Sequence, residues 1–256
     1  MLLKQKLKNG ERVAGVMLAA NSPAIVELLG IIGFDFVLID LQHTPASWET
    51  AEHLVRAARA AHISPLIRVP DFDETQILKA LDIGAEGLVL PFVRTVEDVE
   101  KCASAALFHP RGNRSICSQV RTASYGQFDG KYLDVLSRLN DDLLLIGLIE
   151  DLTGIANLAE IVQHPALDVI AVGRGDLAAL LGTAGQQDNP RLVQTVNDAV
   201  DVIQSAPTKH CQLGVFTYNT DELSSWTDKG AKFFCHMSET SLLARAGRDY
   251  LQKFKG

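Results

Sequence analysis

No apolar run in this 256-residue chain reaches the roughly 18 residues that a membrane span needs. The opening stretch MLLKQKLKNGERV has no apolar core of the kind that marks a secretory leader and reads as a short amphipathic helix. Only four cysteines occur, Cys102, Cys117, Cys211 and Cys235, with neither paired spacing nor a C-x-x-C. That argues against a disulfide framework or a zinc site and for reduced thiols in a cytoplasmic protein. An excess of basic residues is also missing: 24 Lys and Arg stand against 31 Asp and Glu, a net charge of −7. A field of that sign repels nucleic acid and gives no reason to expect a polyanionic partner. No glycine fingerprint G-x-G-x-x-G follows the first apolar run, which weakens a Rossmann reading. With no low-complexity stretch to divide the chain, residues 1–256 read as one domain.

What is present is alternation. Short apolar runs occur at Val13–Leu18, Phe34–Ile39, Pro65–Val69, Gly87–Phe92, Leu143–Ile149, Val169–Val172, Cys211–Phe216 and Lys232–His236. Helical periodicity follows each, at Pro23–Ile32, Trp48–His62, Glu74–Ile83, Val96–Leu107, Ile155–Gln163, Ala178–Leu181 with Pro190–Ser205, Asp221–Lys229 and Thr240–Phe254. Continuously apolar strands separated by helices predict a parallel sheet covered on both faces, and eight such units predict a single (β/α)8 TIM barrel. One connection, His109–Asp142, is long enough that it should either be functional or carry helices of its own. In the last helix Leu242, Leu243, Ala246, Tyr250, Leu251 and Phe254 recur at helical spacing, which predicts packing on the barrel.

In a barrel, polar residues where strands end are the candidates for chemistry. These are Asp40 and His43 after the second run, Arg68 at the third, Glu150 at the fifth, and Gly173-Arg174-Gly175-Asp176 at the sixth. Each alone has a plainer reading: a solvated strand end for Glu150, a helix cap for Asp176, a surface histidine for His43, a rim salt bridge for Arg68. Their convergence on one rim favours function. Two carboxylates suit a hard divalent cation such as Mg²⁺ or Mn²⁺. The glycine-flanked turn lets backbone N–H groups approach an anion. Asp40, three residues before His43, can orient the imidazole. Arg68, at the tip of an apolar strand, needs an anionic ligand or Glu150 as partner. His62, His109, His164, His210 and His236 lack such a setting and read as structural. Arg174-Gly175-Asp176 also spells an adhesion tripeptide, but nothing here supports secretion.

With these residues assembled, the chain resembles the HpcH/HpaI family of metal-dependent pyruvate aldolases, within the phosphoenolpyruvate/pyruvate barrel superfamily. The segments that carry the likeness are NSPAIVELLGIIGFDFVLIDLQH, PLIRVP, LKALDIGAEGLVLPFVRTVEDVE, FHPRGNRS, LIEDLTGIANLAEIV, DVIAVGRGDLAALLG and GAKFFCHMSETSLLARA. The resemblance implies that Glu150 and Asp176 ligate Mg²⁺ or Mn²⁺, with Co²⁺ also possible. His43, oriented by Asp40, would be the acid/base group. Arg68 would sit on the keto or enolate oxygen, and the N–H groups of Gly175 and Asp176 would hold the pyruvate carboxylate. Members often form hexamers built from dimers that exchange the C-terminal helix, which gives the Leu242–Phe254 stripe a second possible role. Three positions depart from the family pattern: Gln42 stands where an acidic residue is common, Leu148 where Gln is frequent, and Ser115 where glycine follows PRGNR.

The expected reaction is reversible aldol cleavage of a 4-hydroxy-2-oxo acid to pyruvate and an aldehyde. Alternatives on the same site are oxaloacetate decarboxylation or lysis of a hydroxyacyl-CoA; a non-catalytic metabolite-binding barrel is the alternative from another class. A Schiff-base mechanism needs a lysine at the rim. The only strand lysine, Lys232, starts its strand and belongs to the opposite face.

Overall fold

In the computed structural model, which describes residues 2–255, eight parallel strands pair in chain order and close on themselves. They are β1 (Val13–Leu18), β2 (Phe36–Asp40), β3 (Ser64–Arg68), β4 (Gly87–Leu90), β5 (Leu144–Ile149), β6 (Val169–Val172), β7 (Gln212–Thr217) and β8 (Phe233–His236). Closure comes from β8 pairing with β1, Val13 opposite Phe233 and Val16 opposite His236. The TIM barrel predicted from eight apolar runs is the fold.

The helices are α1 (Leu3–Lys8), α2 (Pro23–Ile32), α3 (Trp48–Ala60), α4 (Glu74–Asp82), α5 (Val96–Ala106), α6 (Tyr132–Asp142), α7 (Leu152–Ile161), α8 (Arg174–Leu180), α9 (Pro190–Ser205), α10 (Leu223–Asp228) and α11 (Glu239–Lys255). Local chemistry starts several of them. Asp73 caps α4 and Asp151 caps α7 through their carboxylates, and Thr95 with Asp98 forms a capping box on α5.

Because side chains alternate along a strand, each strand feeds two cores. Val16, Leu18, Val37, Ile39, Ile67 and Leu88 face outward and pack under the helices. Val13, Met17, Phe36, Leu38, Leu66, Ile146, Leu148, Val169, Ala171, Phe216 and Phe233 fill the barrel interior. Phe36 and Phe233 stack with centroids 4.4 Å apart. Gly15 makes room for them: a Cβ there would lie 2.3 Å from the Phe36 ring. At the N-terminal end α1 plugs the interior with Leu3 and Leu7. Buried Lys4 bolts it there, donating to the Leu143 carbonyl (2.6 Å) and to Asp168 (3.0 Å).

The long connection carries structure of its own, as its length predicted: a 3-10 segment, Arg121–Gly126, and α6, and it joins α5 to β5 at the end of the barrel away from the strand C-termini. Its PRGNRS motif is structural: Arg114 is buried, pairs with Asp82 (2.7 Å) and lies 4.5 Å from the Phe108 ring centroid. The last helix does not pack its stripe on the barrel. Leu242 touches the core, but Leu243, Tyr250, Leu251 and Phe254 are half to three-quarters exposed.

Candidate active site

The inward rows of three strands turn polar at the C-terminal mouth. On β2 the row runs Phe36, Leu38, Asp40; on β3, Leu66, Arg68; on β5 and its exit, Ile146, Leu148, Glu150. The alternation that buries the apolar members thus aims the polar ones into the mouth. They line a cavity of about 490 Å³ together with Met17, His43, Gly173, Arg174, Gly175 and Asp176. No lysine lines it among the described residues, in keeping with the rejection of Schiff-base chemistry. A larger groove, about 700 Å³, lies outside the barrel beside β1, β7 and β8 and contains none of these rim residues.

Arg68 is buried, and its partner is Asp40 rather than Glu150. Nε donates to Oδ1 (2.9 Å) and Nη2 to Oδ2 (2.8 Å), a bidentate fork. Met17 Sδ lies 3.5 Å from Nη2. Burial alone would raise the Asp40 pKa, but the bonds and charge of Arg68, with the N–H groups of Gln42 and His43, hold it below its ordinary value. Asp40 therefore meets His43 through the backbone, at 3.0 Å from the Gln42 N–H and 3.4 Å from that of His43, while its carboxylate goes to the guanidinium. The His43 imidazole is on an exposed residue and has no hydrogen-bond partner among the described residues, so the expected Asp40–imidazole contact is not formed. Gln42, at the departing position, buries its Oε1 without a partner.

Glu150 is the opposite case. Its carboxylate is buried, and Oε1 accepts one bond, from the Phe92 N–H (3.1 Å). Burial pushes its pKa up; the Phe92 bond and the charge of Arg68 oppose the rise, while Asp176 and Asp151 add to it. The side chain lies across Gly173, where a Cβ would come within 2.6 Å of Oε2, so only glycine fits there. The helix predicted from Ala178 begins earlier, with Gly173 as cap and Asp176 in the first turn. Asp176 is exposed, and space around the Gly175 α-carbon is open.

No group of three or more His, Cys, Asp or Glu side chains among the described residues is placed to hold a metal ion. Glu150 and Asp176 form a two-carboxylate set. That set fits a hard cation, because a buried carboxylate lacking a cationic partner carries a desolvation cost that such an ion would offset, and water or ligand oxygens can complete the shell.

Part of the cavity lining was not read from sequence: Gln187, Thr217, Tyr218, Asn219, Glu222 and Ser238 join the rim residues there. The available signal was the polar run Thr217-Tyr218-Asn219-Thr220-Asp221-Glu222 directly after the seventh apolar run. Glu239, at the start of α11, accepts from the N–H groups of Ala19 (2.9 Å) and Ala20 (2.5 Å), tying the β1 exit loop to the β8 exit.

The chain is 27% identical over 250 residues to the 2-dehydro-3,6-dideoxy-6-sulfogluconate aldolase of Pseudomonas putida, covering 98% of this chain and 95% of the relative. It is 28% identical over 253 residues to the 2-keto-3-deoxy-L-rhamnonate aldolase of Escherichia coli K12, covering 98% and 92%. Among solved structures the citrate synthase SbnG matches with a TM-score of 0.88 at 29% identity, over 99% of this chain and 97% of that one. A family model described as HpcH/HpaI aldolase/citrate lyase matches residues 14–246. With a match spanning the barrel from β1 into α11, this chain belongs to the HpcH/HpaI aldolase/citrate lyase family.

Proposed function

We propose that the protein is a divalent-metal-dependent pyruvate aldolase that reversibly cleaves a 4-hydroxy-2-oxo acid to pyruvate and an aldehyde. One observation carries the reading: Glu150 is buried at the barrel mouth with a single N–H donor and no salt-bridged Lys or Arg among the described residues, close enough to Asp176 for the second charge to raise its pKa. Aldolases of this family among the relatives support the reaction class.

Glu150 and Asp176 would hold Mg²⁺ or Mn²⁺, with Co²⁺ compatible with the same donors. When bound, such an ion would supply a Lewis acid that stabilises the charge developing on the 2-oxo acid. The rest falls to the chain's own groups. The Gly175 and Asp176 N–H groups hold the pyruvate carboxylate. Arg68, already oriented by Asp40, has Nη1 left to meet the keto oxygen as enolate charge develops there. His43 takes the C4 hydroxyl proton as the C3–C4 bond breaks, the bonding pair moving into the pyruvate enolate. Leu148 supplies an apolar wall and no hydrogen bond.

The half-reaction tests this without knowledge of the aldehyde. In D₂O with Mg²⁺ or Mn²⁺, the methyl protons of pyruvate are expected to exchange for deuterium, followed by NMR, and chelator should stop the exchange. Absence of exchange by metal-loaded protein would sink the aldolase reading and favour a binding barrel. Exchange without aldehyde addition, joined to rapid loss of oxaloacetate, would mark a decarboxylase.

The assembly we propose is a homo-oligomer, a hexamer by family likeness, in which α11 is exchanged between subunits. The support is an exposed apolar stripe on α11 beside an apolar groove along the outside of β1 and β8. Removing the stripe with Leu243→Asp and Phe254→Asp is expected to shift the mass in light scattering to that of the monomer. A monomeric parent protein would overturn the assembly. No described helix is long and apolar enough to cross a membrane. The four thiols are free, as a cytoplasmic location would have them.

A further inference from the structure

The cavity has two poles. Glu150, Gly173, Asp176 and Arg68 form the one at which pyruvate is placed under the aldolase reading. The other is built on an ion pair that reading leaves unused. Arg174 opens α8 two residues before Asp176, but its guanidinium serves the neighbouring βα unit. Nη2 donates to Thr217 Oγ1 (3.2 Å) and to Glu222 Oε2 (2.8 Å), and the guanidinium carbon lies 5.7 Å from the Trp226 ring centroid. Thr217 Oγ1 (3.2 Å) and Trp226 Nε1 (3.3 Å) donate to the same Oε2.

Three donors thus converge on one oxygen of Glu222. Among the described residues its Oε1 accepts no hydrogen bond, and Nε and Nη1 of Arg174 donate none. Both side chains are part-buried, 15% and 27% exposed, and both line the cavity. A half-desolvated acceptor beside half-desolvated donors defines what satisfies them. An apolar tail leaves both unpaired. A second carboxylate meets the guanidinium but also the ionised Glu222. A hydroxyl can donate to Oε1 and accept from the guanidinium at once.

We propose that the Arg174–Glu222 pair is the specificity determinant for the electrophile and reads a hydroxyl group on an uncharged aldehyde. This rests on the aldolase reading. It assigns the distal wall a substrate class: hydroxyaldehydes, with the neighbouring Thr217 and Asn219 within the same wall.

The test compares glycolaldehyde with acetaldehyde, which differ by one hydroxyl, as partners for pyruvate and Mn²⁺. Wild-type kcat/KM is expected to favour glycolaldehyde by about tenfold or more, since a site built to bond a hydroxyl penalises its absence. Arg174→Met and Glu222→Leu should each bring that ratio near one, chiefly by raising KM for glycolaldehyde, and Arg174→Lys should restore part of it. A merely structural role would slow both aldehydes alike and leave the ratio where it was, which would overturn the assignment. So would a wild-type ratio near one, a preference for glyoxylate over glycolaldehyde, or addition of neither aldehyde by protein that exchanges pyruvate. Failure of wild-type exchange would instead remove the aldolase reading beneath it, so the two failures are distinguishable.

Discussion

Glu150→Gln is expected to abolish metal-dependent activity while leaving the metal-free protein at least as stable as its parent. The two halves share a cause. Burial raises the Glu150 pKa because the charged form gains only one N–H bond and the partial attraction of Arg68 in return for lost solvation. A neutral amide of the same shape removes the unpaired charge, so the metal-free fold loses nothing electrostatic. The same change removes a charged ligand. With several kcal/mol of Lewis-acid stabilisation gone, turnover should fall by roughly a thousandfold or more. Thermal unfolding gives the sharper contrast. An ion present at 100 times its dissociation constant stabilises the parent by about 2.7 kcal/mol. That increment should vanish in Glu150→Gln, and in Asp176→Asn, where the residue is exposed and the metal-free baseline should hardly move. Full activity in excess chelator, or an undiminished metal-induced shift in either variant, would refute the two-carboxylate site.

Asp40→Asn is expected to cost more stability than replacing both members of its pair. Arg68 is buried, and Asp40 supplies two of its bonds. Removing one partner strands a buried guanidinium, a loss of about 3–5 kcal/mol, whereas Asp40→Leu with Arg68→Met exchanges the pair for apolar volume and should be closer to neutral. The pH dependence has a definite sign. Because the folded-state pKa of Asp40 is depressed, its contribution is fully present above the unfolded value of about 3.9 and is lost as pH falls through the lower folded value. The stability gap between parent and Asp40→Asn should therefore close in acid, as read from urea unfolding across a pH series. Activity separates the roles further. Asp40→Asn should lower kcat chiefly, since a loosened Arg68 fails where charge develops, and Arg68→Lys should do the same by losing the planar fork. A gap independent of pH, or an effect confined to KM, would contradict a positioning role for Asp40.

The sequence by itself determined the barrel, because eight continuously apolar runs can be satisfied only by strands covered on both faces, and their alternation with helices leaves few closures. It also determined which residues stand at the rim. Asp40, Arg68 and Glu150 each sit an even number of places from inward apolar residues of the same strand, so period-two geometry aims them into the mouth wherever the strands lie. Partner choice was decided only by tertiary structure. Arg68 could have met Glu150, and Asp40 the His43 ring, on any argument from local spacing. Strand register places Asp40 opposite Arg68 across the β2–β3 ladder, and the fork follows from that adjacency. The distal pair is a stronger instance. Arg174 and Glu222 lie 48 residues apart on different βα units, and although each follows the end of a strand, nothing local to either marks the other as its partner. The fate of the C-terminal stripe likewise depended on what remained uncovered. Helical spacing declares that a face is apolar, but whether its own barrel or another subunit covers it is set by how α11 leaves β8, a long-range angle on which local propensity is silent.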